Sequence, residues 1–446
     1  MAQAIKEQNE YAAVFRALHE TEHNAPAWLT RLREQALARF EQVGFPPTTA
    51  EDWKYTNVAP IARGEFAPTI APQVDNLTPD ALAAYTYAEA AQSRFVFVNG
   101  SYRAELSDLS ALPAGAVVAN LADALTGGHE SVLRTYLARA ASVDETADGF
   151  TALNTAFSNQ GAFIYLPQGA QLTAPLHLLF LADETDAQAA IFPRVLVVAE
   201  SESAATIIES YEATSEAAYF TNAVVEVFVG ANARVTHYKV QRESDAAFHI
   251  ATTQAELERD AHYDLTTITL GARLSRHGIR VKLAHAGASC VVDGLYLVGA
   301  GQHTDTHSLI DHSAPHCTSR QLYKGILDGK SRAVFNGKVF VHRDAQQTDA
   351  QQTNKNLLLS PDARVDTKPQ LEIFADDVKC AHGATVGQLE AEELFYLLSR
   401  GLHMNLARNL LTYGFAEELV EKLKIESIKA QLDEAILNRL HARLEV

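Results

Sequence analysis

Leu371 to Gln388 reads LEIFADDVKCAHGATVGQ and sets two acids, a thiol and an imidazole within the seven residues from Asp376 to His382. An extended chain alternates its side chains between faces, so Cys380 and His382 would point the same way with Cα atoms roughly 7 Å apart. Thiolate and imidazole are ligands for a soft or borderline metal, and one iron or one sulfur-bearing partner can touch both. A lone C-x-H with no second ligand pair also reads as a buried structural cysteine beside a hydrogen-bonded histidine.

A second cluster, GQHTDTHSLIDHSAPHC, puts His303, Asp305 and His307 on one strand face, with His312, His316 and Cys317 following. The residue types suit a transition metal, but the cluster lacks the tight C-x-x-C or H-E-x-x-H spacing that makes such a site specific, and a hydrogen-bonded ladder on stacked strands is the expected role. Glu209 and Glu212, with Tyr211 between them, offer two carboxylates and a phenol, yet neighbouring strand residues face opposite sides and make no acid/base pair; solvated surface is the expectation. No G-x-x-x-x-G-K-[ST], G-x-G-x-x-G or G-x-S-x-G motif occurs. Nucleotide hydrolysis, dinucleotide redox and triad hydrolysis therefore lack their minimum equipment, and the chain is expected not to be an enzyme.

What must position these residues is a chain of 446 residues with a formal net charge of −18. That length implies several domains or one elongated repetitive domain. The charge and the absence of any Lys/Arg run argue against a nucleic-acid partner. Three scattered cysteines, Cys290, Cys317 and Cys380, make no disulfide framework and fit a reducing compartment. The opening MAQAIKEQNEYAAVF has neither a signal nor a transit layout, and no apolar run approaches a membrane span. A cytoplasmic protein without membrane contact is expected.

Residues 1–93 are expected to form an N-terminal helical domain and linker. The pattern is helical from Gln3 to about Val43; its second helix would be capped by Asn24, carry Pro26 in its first turn, repeat Trp28, Leu29, Leu32, Ala36 and Phe40, and stop at Gly44. Pro46 and Pro47 then forbid further helix in GFPPTTAEDWKYTNV. Residues 94–387 change to short β-rich runs such as RFVFVNG, LHLLFLA, RVLVVAE, CVVDGLYLVG and RAVFNGKVFV, with a helical insertion near Leu121 to Ala141. Glycine-led turns at Gly230, Gly287 and Gly329 resemble one another. So many short strands favour a β-helix, in which each coil stacks on the next, over a large sandwich. Residues 388–446 return to helix: Leu394, Phe395 and Leu398 lead to a stop at Gly401, Leu406, Leu410 and Leu411 lead to one at Gly414, and a longer helix carries Leu419, Leu423, Ile428, Leu432, Ile436, Leu440 and Leu444. These apolar stripes exceed what three helices can bury in one another, so part of them should face the β domain or a partner.

The block from Asn354 through LEIFADDVKCAHGATVG to Gly414, with SRQLYKGIL, GKVFVHRDAQQTDAQQTN and the N-terminal PPTTAEDWKYTN, resembles the SufB/SufD family of the SUF iron–sulfur cluster assembly system. The resemblance covers most of the chain and is weak between about Asn57 and Phe150. It implies a mainly β fold, a right-handed parallel β-helix core flanked by N- and C-terminal helical domains. It also implies pairing with SufB and docking of a SufC ATPase on the C-terminal helices. Within the family the chain is similar to SufD: Ala363 stands where SufB-like chains carry a key cysteine, and the glutamates flanking the SufB histidine are here Ala381 and Gly383, while His382 is retained.

By this resemblance His382 is the expected metal ligand or proton-transfer group at the SufB interface, with Cys380 second, and Asp376 and Asp377 are structural or partner-facing. The implied role is a scaffold in iron acquisition and de novo cluster formation. No cofactor would be bound stably by the chain alone; iron or a nascent cluster would pass through the complex, and ATP would belong to SufC. Without SufB a homodimer through the same surface is expected. The competing readings are a SufB-like cluster carrier, which Ala363 and the low cysteine count disfavour, a β-helix enzyme acting on polysaccharide, and a metal-binding protein using the His303 to Cys317 cluster.

Overall fold

The computed structural model describes residues 11–18, 25–69, 77–78, 81–158, 160–183 and 188–441. Asn24, the residues from Gln3 to Glu10 and Leu444, all named above, lie outside them. Among the described residues the strands form two sheets, of eleven and ten strands, in which neighbours are alternate strands of the sequence. The chain passes from one sheet to the other at each strand, and successive coils pair in parallel register, as with Ala204–Ala213, Arg234–Arg242 and His262–Thr269 on one face and Phe220–Val229, Phe248–Leu257 and Leu274–Leu283 on the other. This is a parallel β-solenoid, as the stacked runs required, and no sandwich.

Alternation fills the lumen. Ile207, Val235, Tyr263, Cys290 and Val292 from one sheet meet Val225, Ala251, Ile279 and Phe335 from the other in one buried core. The outward-facing residues form further apolar layers. Ile208, Tyr238, Ile268, Leu295 and Leu322 are covered by the C-terminal helices through Leu419, Val420, Leu423, Ile428 and Leu432. On the opposite side Phe220 and Phe248 are covered by Phe40, Phe150 and Phe157. Both faces of each sheet are therefore covered where these helices and aromatic rings lie on it, as faces of parallel sheets generally are.

The corners are stacked as well. Glu202, Asn232, Asp260, Gly287, His316 and Gln347 all have positive φ, and each donates its N–H to the corner carbonyl of the following coil, from Ala231, Arg259, Ala286, Pro315, Gln346 and Asp377 in turn. At Gly230 a Cβ would stand 2.7 Å from the Ser201 nitrogen, so the coil can close only where that side chain is missing. Of the glycine-led turns, Gly287 belongs to this stack and Gly230 lies two residues before its Asn232, while Gly329 turns the opposite corner; the stack also gives His316 a backbone role.

The first coil is sealed by short antiparallel strands, Ser101–Tyr102 on Arg94–Val98 and Val117–Asn120 on Ala162–Leu166. Helices Leu121–Thr126 and Glu130–Tyr136 fill the expected insertion. The N-terminal helix Ala27–Val43 follows Pro26 and ends at Gly44, whose N–H bonds the Phe40 carbonyl at 2.8 Å. The last coil, Arg364–Ile373 and Val378–Gly387, carries no strand on its outer edge among the described residues.

Three C-terminal helices follow, Ala391–Ser399, Met404–Val420 and Glu426–His441. The stop expected at Gly414 does not occur, since the second helix runs through it. An interior glycine costs about 1 kcal/mol relative to alanine; burial of Ala416, Leu419 and Val420 on the sheet outweighs that. The break comes instead between Val420 and Glu426.

Candidate functional site

The open coil holds the residues with which the sequence reading began. Val378–Gly387 pairs in parallel with Thr348–Leu358, placing Cys380 beside Ala350 and His382 beside Gln352. Cys380 packs with Val339, Val341, Ala345, Ala350 and Ala375, so its side chain faces the lumen, and alternation points His382 the same way. The two surroundings differ. Partial burial pushes the Cys380 thiol above its ordinary pKa, which keeps it protonated near neutrality, whereas His382 is exposed because no further coil stands over it. Ile373, Phe374 and Val386 are exposed beside it on the same coil.

Asp376 and Asp377 lie exposed at the corner of this coil. The Asp377 carbonyl accepts the last bond of the corner stack, from the Gln347 N–H at 2.6 Å, and its own N–H donates to Gln346 Oε1 at 2.9 Å. Ala363 is buried in the lumen core, directly before Arg364–Ile373.

The second cluster does not assemble. His303 accepts or donates at 2.9 Å to Thr56 Oγ1, while Asp305 is held by Thr56, Arg276 and His307. Arg276 in turn lies over the Trp53 ring at 3.9 Å. These residues anchor the PPTTAEDWKYTN segment to the outside of the solenoid. His312 points elsewhere, into a 2.9 Å bond with Ser319, and Cys317 is buried. Among the described residues no group of three or more His, Cys, Asp and Glu side chains is arranged to hold a metal ion. A cleft of about 750 Å³ lined by Thr48, Lys54, Tyr55, His307, Asn336 and Lys368 opens on this same outer surface and includes neither Cys380 nor His382.

The expectation that Glu209 and Glu212 are solvated is overturned: both are buried, Glu209 at 0 % exposure. Glu209 faces the lumen, bonded by Lys239 Nζ at 3.1 Å and His237 Nε2 at 2.8 Å. Burial alone would raise its carboxyl pKa, but the Lys239 ammonium and His237 outweigh that and hold it well below the usual carboxylate range. Glu212 pairs with Arg242 at 2.8 Å. Sequence reasoning missed these pairs because their partners sit about 30 residues away, one coil along, and are neighbours only through register.

A second uncovered surface lies on the C-terminal helices. Phe395 and Tyr396 are 73 % and 57 % exposed, with Met404, Leu406 and Leu410 exposed nearby. The later part of the second helix is fixed to the solenoid by Lys324 Nζ to the Phe415 carbonyl at 2.7 Å and Lys422 Nζ to Asp293 at 2.8 Å. Of the surplus apolar stripe read from the sequence, the later half covers the sheet, whereas the earlier half leaves Phe395, Tyr396, Met404, Leu406 and Leu410 exposed.

Comparison with known proteins gives a consistent result. Residues 180–415 match the family model described as SUF system FeS cluster assembly, SufBD core domain, and residues 5–178 match the SufBD protein N-terminal region. An iron–sulfur cluster assembly SufBD family protein of Synechocystis is 38 % identical over 92 % of this chain and 90 % of its own length. The iron–sulfur cluster assembly proteins SufD of Escherichia coli and Bacillus subtilis are 33 % and 30 % identical, over 96 % and 92 % of this chain and 97 % and 93 % of theirs. No helix among the described residues is long and apolar enough to cross a membrane.

Proposed function

The chain belongs to the SufBD family of the SUF system for iron–sulfur cluster assembly, and from that premise we propose that it is the SufD-type scaffold, pairing with SufB through its open last coil. The observation that carries this reading is the coil itself: two unpaired strand edges, exposed Ile373, Phe374 and Val386, and an accessible imidazole at the mouth of the lumen. Unpaired edges and exposed apolar side chains are otherwise liabilities that a lasting partner would cover.

In this reading His382 meets iron or the forming cluster as it passes between subunits. A neutral imidazole offers a lone pair to iron and can also take up a proton. Cys380, with its raised thiol pKa and its packing against Ala345 and Ala350, is the lesser contributor. Iron and cluster are cargo, held transiently in the complex and not bound stably by this chain alone. The chain has no catalytic machinery of its own; ATP is hydrolysed by SufC, docked on Phe395, Tyr396, Met404 and Leu406. The cytosol is the compartment this chemistry suits. A SufB-like carrier role is less well supported, because Ala363 is a buried methyl where a thiol would be needed.

The test is co-expression with SufB and SufC, followed by mass measurement of the purified complex. One copy of this chain with one SufB is expected, with SufC lost on Phe395→Asp and SufB lost on Val386→Asp. A chain that stays monomeric beside SufB, or binds it equally well after Val386→Asp, would remove the assignment of the coil.

A further inference from the structure

Toward the open end the filling of the lumen changes from apolar to amide. Thr348–Leu358 turns Ala350, Gln352, Asn354 and Asn356 inward, all buried. Gln352 is 1 % exposed and lies between Gln321 on the preceding coil and His382 on the last. Its Nε2 donates to Gln321 Oε1 at 2.8 Å, and Gln321 Nε2 donates to Ser308 Oγ at 2.9 Å. This run of amides uses the Gln352 N–H and leaves the Gln352 carbonyl outside it.

That carbonyl oxygen, Gln352 Oε1, is buried without a hydrogen-bond partner. Its neighbours are satisfied: Asn354 Oδ1 accepts from Thr367 at 2.8 Å and from Asn356 at 2.6 Å. Leaving a buried acceptor unpaired costs about 1–3 kcal/mol, so a donor is called for at this place. Gly337 also fixes where the amide lies, since a Cβ there would stand 2.5 Å from Gln352 Nε2 and displace it. The next side chain along the column is His382.

We infer that Gln352 is a positioning residue for His382: the exposed ring, which makes no bond to that carbonyl in the structure itself, turns onto it so that the carbonyl accepts the hydrogen of one ring nitrogen and the other nitrogen keeps its lone pair. A neutral imidazole carries one N–H and one lone pair, and what the first is bonded to decides which nitrogen is free. Histidines that bind metals usually donate their second nitrogen to an oxygen in this way. Gln352 thus supplies what the bare spacing of Cys380 and His382 lacks, a fixed tautomer. The inference rests on the reading of His382 as the group that meets iron, and its test separates the two.

The full chain is labelled with ¹⁵N-histidine and observed at a pH well above the ordinary histidine range, with the His382 ring signals identified by their loss in His382→Ala. Wild-type His382 is expected to show one protonated and one unprotonated nitrogen. Gln352→Leu should give tautomer-averaged signals, and Gln352→Glu, which keeps an oxygen at that place, should restore the single tautomer. In the complex with SufB and SufC, Gln352→Leu should lower cluster yield roughly tenfold and Gln352→Glu should recover it. Averaged ring signals in the wild type, a measurement that needs no variant to fold, would overturn the inference, as would identical ring signals in Gln352→Leu. A fixed tautomer that Gln352→Leu releases, in a complex where His382→Ala keeps full cluster yield, would establish the contact and overturn the proposed function instead.

Discussion

In the middle of the solenoid Glu209, Lys239 and His237 are sealed between coils, whereas on the last coil Cys380 and His382 occupy inward positions with no further coil above them among the described residues. The strands that carry Glu209 and His382, Ala204–Ala213 and Val378–Gly387, are both ten residues long and both paired in parallel. What differs is the number of neighbours. In a stacked fold each coil contacts only the next, so burial is decided by position in the stack more than by local composition. Ionisable groups in the middle act on stability, and those at the end are free to act on a partner.

The sharpest way to break this contrast is to remove Glu209. Glu209→Ala leaves Lys239 and His237 buried without their carboxylate and should destabilise the chain by roughly 3–5 kcal/mol, read as a loss of chemical-denaturation free energy. A change below about 0.5 kcal/mol, the level of ordinary surface substitutions, would show that the middle is no more closed than the end. His382→Ala should stay within that surface range.

The second test uses pH. Burial takes His177 down to about 3 and His312 down to about 4, so both rings are neutral in the fold. In the unfolded chain they titrate near 6.5. The unfolded state therefore binds more protons between those values, and the stability these rings confer is present above about 6.5 and lost as pH falls through the folded values. Lowering pH by one unit from the unfolded value should cost about 1 kcal/mol for each ring. Thermal midpoints measured against pH should show a shallower acid slope in a His177→Asn, His312→Asn double variant. An unchanged slope in the double variant would place both histidines outside the closed interior.

At the open end the effects should appear in function. His382→Ala, in a complex whose assembly has been verified, should lower cluster yield at least roughly tenfold, equivalent to about 1.4 kcal/mol as a ratio of rates. Full yield would return His382 to a structural role. Cys380→Ala should have the smallest effect, a milder loss, because its thiol is protonated and turned into the packing of Ala345 and Ala350. A Cys380 loss larger than that of His382 would reverse their assignment.

Apolar runs made most of the stack legible. RAVFNGKVFV is strand Arg332–Val341 to the residue, and LHLLFLA is Leu176–Ala182. Thr348–Leu358 escaped notice because its inward residues are Gln and Asn, so it lacks the alternation of apolar and polar that marks a half-buried strand. Glu209 was misjudged for a related reason: a carboxylate reads as surface until register supplies its lysine. Cys380 and His382 were legible as a pair from spacing alone, but their place at an open end depends on where the stack stops, which no local pattern encodes. Gln352 carries no signal at all without the amide chain beneath it.

The two ends of the rod also settle how large an assembly can grow. The first coil is closed by antiparallel strands that run against the stacking direction, so no parallel coil can be added there. A head-to-tail contact, which would propagate into a filament, has no acceptor. Among the described residues the open coil remains as the end that can accept a further strand. On the proposed pairing, two rods joined by their open coils leave neither with an unpaired edge, so association would halt at a pair.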